Sequence, residues 1–278
     1  MRIAISNLAW DVMHDAEVAT MLTRHGIDAV DIAPGKYFPD FRTASDTDLA
    51  RVRKWWGERG IAITGMQALL YGTAGLNLFG TDAQQEAMLS HLAEVCRIGA
   101  GLGATRLAFG SPKNRDRSAR TDRETKDIAH RFFSRLGDIA AGQGVTVCLE
   151  PNPPCYGANF MTTTAEAAQV VADVAHPAIR LLLDTGACTI NGEEVDILAR
   201  AFAPLVGHIH LSEPQLVVLG DGATDHERSA AGLTAFLPGM VACIEMLQSK
   251  DEPPLSGIER ALQVALAHYR RGAQGRQP

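Results

Sequence analysis

Four short apolar runs each end in a side chain able to ligate a divalent metal. They are Val145-Thr-Val-Cys-Leu-Glu150, Arg180-Leu-Leu-Leu-Asp184, Val206-Gly-His-Ile-His210 and Val241-Ala-Cys-Ile-Glu245. The terminal residues Glu150, Asp184, His210 and Glu245 are separated by 34, 26 and 35 residues, the spacing of successive βα units whose strand ends point at one place. Three carboxylates and one imidazole make an oxygen-rich set that suits a single Mn²⁺, Mg²⁺ or Co²⁺ and also accepts Zn²⁺. Taken singly, each residue also reads as an ordinary strand-end polar group bonded to loop backbone. Taken together they read as a metal centre, because burying three carboxylates without a cation is costly.

Further polar residues flank this set. His208 lies two residues before His210 and so on the same side of a strand; it could touch substrate, orient a ligand, or be a hydrogen-bonded interior histidine. Gln67, at the end of the third run, could offer its amide to a substrate hydroxyl or satisfy barrel backbone. Trp10, after the first run, could stack on a sugar face or pack in the core. Lys113 and Arg115, after the fourth run, could neutralise an anionic substrate group or form a solvated loop. Glu213 stands at a loop entrance where it can pair locally, and Asp225-His226 reads as a helix cap rather than a second metal site. Pro151-Asn-Pro-Pro-Cys-Tyr-Gly157 is a rigid loop that could wall a pocket or simply close a turn.

These side chains need a scaffold that alternates strand and helix. Apolar strand-like runs occupy 2–6, 29–32, 61–66, 105–109, 145–149, 179–183, 206–211 and 241–244. Amphipathic helical stretches lie near 14–25, 46–59, 82–101, 120–143, 163–175, 192–203, 226–236 and 255–270. Cap residues such as Ser45, Thr81 and Thr163 start helices, and Gly26, Gly60, Gly103 and Gly144 end them. Continuous rather than alternating apolar strands indicate a parallel sheet covered on both faces. Eight βα units predict one (β/α)8 TIM barrel over residues 1–271, with a polar tail at 272–278. The first βα turn lacks the Gly-x-Gly-x-x-Gly fingerprint of a doubly wound dinucleotide fold.

The chain has 278 residues, 46% of them hydrophobic, and a net charge of −6. That size supports one large core, and the acidic balance argues against nucleic acid or an anionic membrane as partner. An odd five cysteines without paired spacing predicts reduced thiols and a cytoplasmic protein with no leader segment. No interface signature is legible, so a homo-oligomer is left open.

With these residues in place, the chain resembles the xylose-isomerase-like superfamily, which includes ketose 3-epimerases, inosose dehydratases and apurinic endonucleases. The resemblance rests on Leu149-Glu150-Pro-Asn-Pro-Pro, Leu183-Asp184-Thr-Gly, Gly207-His208-Ile-His210-Leu-Ser-Glu and Cys243-Ile-Glu245-Met, with looser matches at Ile5–Trp10, Asp31–Pro34, Met66–Leu69 and Phe109–Arg115. It implies one divalent ion held by Glu150, Asp184, His210 and Glu245, with Glu150 and Glu245 also exchanging a proton beside a substrate carbonyl. The implied activity is isomerisation or epimerisation of a keto or aldo sugar, or a sugar-like ketone. The alternative is a metal-dependent lyase or dehydratase that expels a β-oxygen from a keto-sugar or keto-inositol; an apurinic endonuclease fits the acidic charge and single ligand histidine less well. Two positions depart from the epimerase pattern. Ala187 stands where a histidine is common and Leu216 where an arginine is common, so the resemblance does not extend to a free ketohexose as substrate.

Overall fold

The computed structural model describes residues 1–270, so the C-terminal tail and the domain limit at 271 lie outside the described residues. Eight parallel strands close into a barrel in sequence order. They are β1 (Arg2–Ser6), β2 (Ala29–Ile32), β3 (Ala62–Met66), β4 (Arg106–Phe109), β5 (Thr146–Leu149), β6 (Ile179–Asp184), β7 (Val206–Leu211) and β8 (Val241–Ile244). Closure is explicit in the pairing of β1 with β8 across Arg2↔Val241 to Ile5↔Ile244, which rules out the open doubly wound sheet. The helices are α1 (Asp15–Arg24), α2 (Asp46–Gly57), α3 (Asp82–Leu102), α4 (Asp122–Gly142), α5 (Thr164–Val174), α6 (Thr185–Asn191), α7 (Val195–Phe202), α8 (His226–Phe236) and α9 (Pro254–Tyr269).

Local chemistry sets these boundaries. Ser45, Thr81 and Thr121 each accept a bond from a backbone N–H three residues on, while the side chain at that third position returns to the cap, so α2, α3 and α4 start with reciprocal capping boxes. The helix over α6 was not anticipated. Seven residues are too few to show an amphipathic period, and what starts this helix is Asp184, whose carboxylate caps it. The apolar faces of strands and helices merge into one large buried cluster that includes Ile5, Leu107, Leu149 and Leu181. At Gly207 an added Cβ would press on Arg180 and Cys148, so the close approach of β7 to its neighbours requires glycine there.

Candidate metal centre

Register brings the four strand-end residues to one rim. Asp184 and His210 are direct Cα partners across β6 and β7. Glu150 and Glu245 lie one residue past β5 and β8 and extend the ladders, donating their N–H groups to Phe109 O at 3.1 Å and Leu211 O at 2.9 Å. One ligand atom from each of Glu150, Asp184, His210 and Glu245 falls within 4.8 Å of every other, and all four residues are buried.

Two of the three carboxylates are held by hydrogen bonds from outside the cluster. Asp184 Oδ1 accepts from Ala187 N at 2.6 Å and Ser212 Oγ at 2.8 Å, which turns Oδ2 toward His210 Nδ1 at 3.9 Å. Glu245 Oε1 accepts from Gln67 Nε2 at 2.9 Å, and its Oε2 faces the same Nδ1 at 3.1 Å. Glu150 Oε1 lies 2.9 Å from Nδ1, and Gly110 makes room for the carboxylate, since a Cβ there would collide with Oε2.

The electrostatics mark a site built for positive charge. Burial, reinforced by the charges of Glu150 and Glu245, pushes Asp184 up to about 7. Burial alone would lower His210, but the Glu245 charge and the hydrogen bonds to both glutamates outweigh it and hold the imidazole well above its usual range. One imidazole nitrogen facing three carboxylates cannot satisfy them all, whereas a divalent ion among the four ligand atoms would. The donor set fits such an ion.

Beneath the centre, Asp31 and His208 form a second buried pair at 2.7 Å (Oδ2 to Nε2). Thr64 Oγ1 donates to Asp31 Oδ1 at 2.7 Å. Burial would raise Asp31, but the His208 charge and hydrogen bonds prevail and lower it. The His208 ring lies 5.1 Å from that of His210, centroid to centroid. His210 Nε2 is buried without a hydrogen-bond partner among the described residues.

A cavity of about 470 Å³ opens above the four residues; Glu150, Asp184, Glu245 and Gln67 reach its floor, and the Pro151–Pro153 loop forms part of its wall, with Ala187 and Leu216 also lining it. Gln67 Oε1 is buried without a hydrogen-bond partner among the described residues.

The structure places the other candidate substrate contacts, Trp10, His208, Lys113 and Arg115, off the cavity. Trp10 is fully buried, donates its indole N–H to Asp15 at 2.7 Å and packs edge-on against Trp56, so it has no free face for a sugar. His208 faces Asp31 in the barrel interior rather than lining the cavity, in the place of a hydrogen-bonded interior histidine. Lys113 is exposed and off the cavity. Arg115 is fully buried behind the β5 loop, donating Nη1 to Glu150 O at 2.8 Å and Nη2 to Asn152 Oδ1 at 2.5 Å. Burial lowers its guanidinium to about 10, and its role is to hold the loop that follows Glu150. Asp225 caps α8 as expected, accepting from Arg228 N at 2.9 Å. His226 instead bonds Glu213 and Tyr269, each at 2.8 Å. Ser212 and Asp31 were missed, although both carried a signal. Ser212 lies two residues past His210 on the same face, and a carboxylate inside the apolar run of β2 requires a buried partner.

A barrel of this topology, with buried acidic and histidine side chains gathered at strand C-termini, is the architecture of one broad class. Residues 20–268 match the family model described as xylose isomerase-like TIM barrel, and the chain belongs to that family. Solved structures with the same fold include a D-psicose 3-epimerase crystallised with D-fructose, at 18% identity and TM-score 0.80 over 97% of this chain and 99% of that one. A 3-keto-D-glucoside 4-epimerase from E. coli aligns at 16% identity and TM-score 0.78, covering 95% and 98%. The IolI protein with bound zinc aligns at 16% identity and TM-score 0.77, covering 99% and 100%. At these identities the likeness establishes the fold. No curated protein sequence matches the chain.

Proposed function

We propose that the chain is a divalent-metal-dependent isomerase or epimerase of a keto or aldo sugar, or a sugar-like ketone, acting by proton transfer at the carbon beside a carbonyl. The observation that carries this reading is the convergence of two glutamates and Asp184 on the floor of one cavity, around the buried His210. Glu150, Asp184, His210 and Glu245 would hold Mn²⁺, Mg²⁺ or Co²⁺, and Zn²⁺ also fits the donor set. A bound ion supplies Lewis acidity to a carbonyl oxygen, which eases loss of the neighbouring proton.

The protein's own groups do the rest. Gln67 fixes the Glu245 carboxylate, and Arg115 fixes the backbone of Glu150, so both glutamates keep their aim while substrate enters. One glutamate takes the proton and the other returns it. Return to the same carbon from the opposite face gives an epimer, whereas return by the first glutamate to the neighbouring carbon, with the hydroxyl proton passing to the former carbonyl oxygen, gives an isomer. The cavity volume suits a small molecule, and two of the structures with this fold are sugar epimerases.

Incubation of Mn²⁺-loaded protein with a panel of keto-sugars in D₂O tests the reading. The expected result is deuterium at the carbon beside the carbonyl without loss of water, abolished by Glu150→Gln and by Glu245→Gln. An unsaturated product would assign elimination instead. Absence of both exchange and elimination across the panel would remove the proposal.

A further inference from the structure

The cavity over the four candidate ligands does not end at its own rim. Leu8, Ala68, Tyr71 and Leu247 line it and also line a second cavity of about 950 Å³, so the two share one mouth. Two of those four residues are exposed apolar side chains, Tyr71 at 89% and Leu247 at 50%. The lining beyond them mixes small residues, with open space over Gly35 and Gly72, and charged side chains that already have partners: Lys36 on Asn7 O and Trp10 O, Asp40 with Arg42, and Glu94 with Arg97. Its far wall carries Phe41 and His91, whose rings stack at 5.3 Å.

Backbone strain gathers at the same mouth. Among the described residues, Ala68 (φ 56°), Gln215 (φ 62°) and Leu216 (φ 55°) are non-glycine residues in the left-handed region, and all three line the inner cavity. Such strain persists where surrounding structure holds it, commonly at ligand clamps. Here Tyr156 Oη accepts from Gln215 N at 2.7 Å and ties the strained turn to the β5 loop.

The chemistry of this mouth does not match a molecule covered in hydroxyls. A buried sugar needs a polar partner for each hydroxyl it desolvates, and Ala187 and Leu216 supply none. An exposed ring and leucine beside an open concave surface instead gain free energy when apolar matter covers them. Resting on the reading of the inner cavity as a sugar site, we propose that the substrate is a ketone-bearing sugar linked to an apolar aglycone, the ring ketone supplying the carbonyl that the proton transfer needs. The sugar sits over Glu150 and Glu245, and the aglycone passes between Tyr71 and Leu247 into the second cavity. Continuity of that cavity with the candidate metal centre favours a substrate group over a second copy of the chain.

Calorimetry of Mn²⁺-loaded protein with matched methyl and phenyl glycosides of glucose, galactose and xylose, which lack the ketone and therefore report binding without turnover, tests this. The phenyl member is expected to bind at least about tenfold more tightly for an accepted sugar. Ala87→Trp, an exposed position on α3 that lines the second cavity, should bring that ratio to about one while Mn²⁺ affinity is retained. Equal affinity within every pair, a phenyl preference that survives both Ala87→Trp and Leu247→Asp, or no binding by any pair would each overturn the proposal. Mn²⁺ titration separates the failures: undiminished ion binding leaves the metal centre standing, and absent ion binding removes both readings. A dimer in light scattering that Leu247→Asp dissociates would assign the mouth to a second copy and also overturn it.

Discussion

The two halves of the barrel rim differ in what they bring to the cavity. Strands β5 to β8 deliver Glu150, Asp184, His210 and Glu245, whereas the loops after β1 and β3 deliver Leu8, Gln67, Ala68 and Tyr71. In the first half two of the three carboxylates and the Glu150 backbone are fixed by named partners: Ser212 and Ala187 N on Asp184, Gln67 on Glu245, and Arg115 on the carbonyl of Glu150. The second half contributes one amide, exposed apolar surface and a strained backbone at Ala68. This division separates a rigid polar centre, suited to fixed chemistry, from an apolar approach, suited to selecting what reaches it.

The largest break in that contrast comes from the polar half. Asp184→Asn is expected to weaken Mn²⁺ binding by about a thousandfold, read by calorimetry, while Tyr71→Ala in the apolar half leaves it unchanged. A smaller loss, about 10- to 100-fold, is expected for Ser212→Ala, which frees Asp184 Oδ1 without removing a ligand.

Acidity gives a further test of the polar half. Asp184 is raised to about 7 by burial and by the two glutamate charges, and an ion must displace its proton. Mn²⁺ affinity should therefore rise from pH 5.5 to 7.5, by about thirtyfold from this group alone, and go on rising above that as the raised His210 imidazole gives up its proton. The sign for the metal-free fold is opposite: a carboxyl with a raised folded pKa adds stability below its unfolded value near 4, lost as pH climbs through about 7. Urea titration of metal-free protein should show that decline, and added Mn²⁺ should reverse it.

Stability at the edge of the cavity depends on Glu213. Burial would raise it, yet bonds from His226, from Thr224 and from Gly220 N hold it down to about 2. Its contribution should be complete above about pH 4.3 and vanish as pH falls through 2. Glu213→Gln is expected to cost about 2–3 kcal/mol at pH 7 by urea denaturation, with the gap to wild type closing toward pH 2. The smallest effect is expected at Lys113→Ala, within about 0.5 kcal/mol of wild type by the same denaturation, because this exposed side chain lies off the cavity.

Much of the barrel is legible in the chain because its strands are continuous apolar runs and its helices are long enough to show a period. Strand ends carry their own punctuation, so Glu150, Asp184, His210 and Glu245 can be picked out by type and spacing. What escapes is set by three-dimensional placement. Trp10 and Arg115 sit beside strand ends in sequence, yet one turns into the core against Trp56 and the other runs behind the β5 loop. Whether a side chain one or more residues past a strand faces the cavity depends on loop conformation, which residue type does not encode. The cavity's apolar mouth is equally hidden, since Tyr71 and Leu247 lie 176 residues apart and meet only through barrel closure.

Diffraction from crystals soaked in Mn²⁺, recorded at the manganese absorption edge, tests the central claim most directly. The account predicts a single strong anomalous peak bonded to Glu150, Asp184, His210 and Glu245 at about 2.0–2.4 Å. A peak seated instead among Asp31, His208 and His210, the other buried group able to hold an ion, or no peak at the rim, would contradict it.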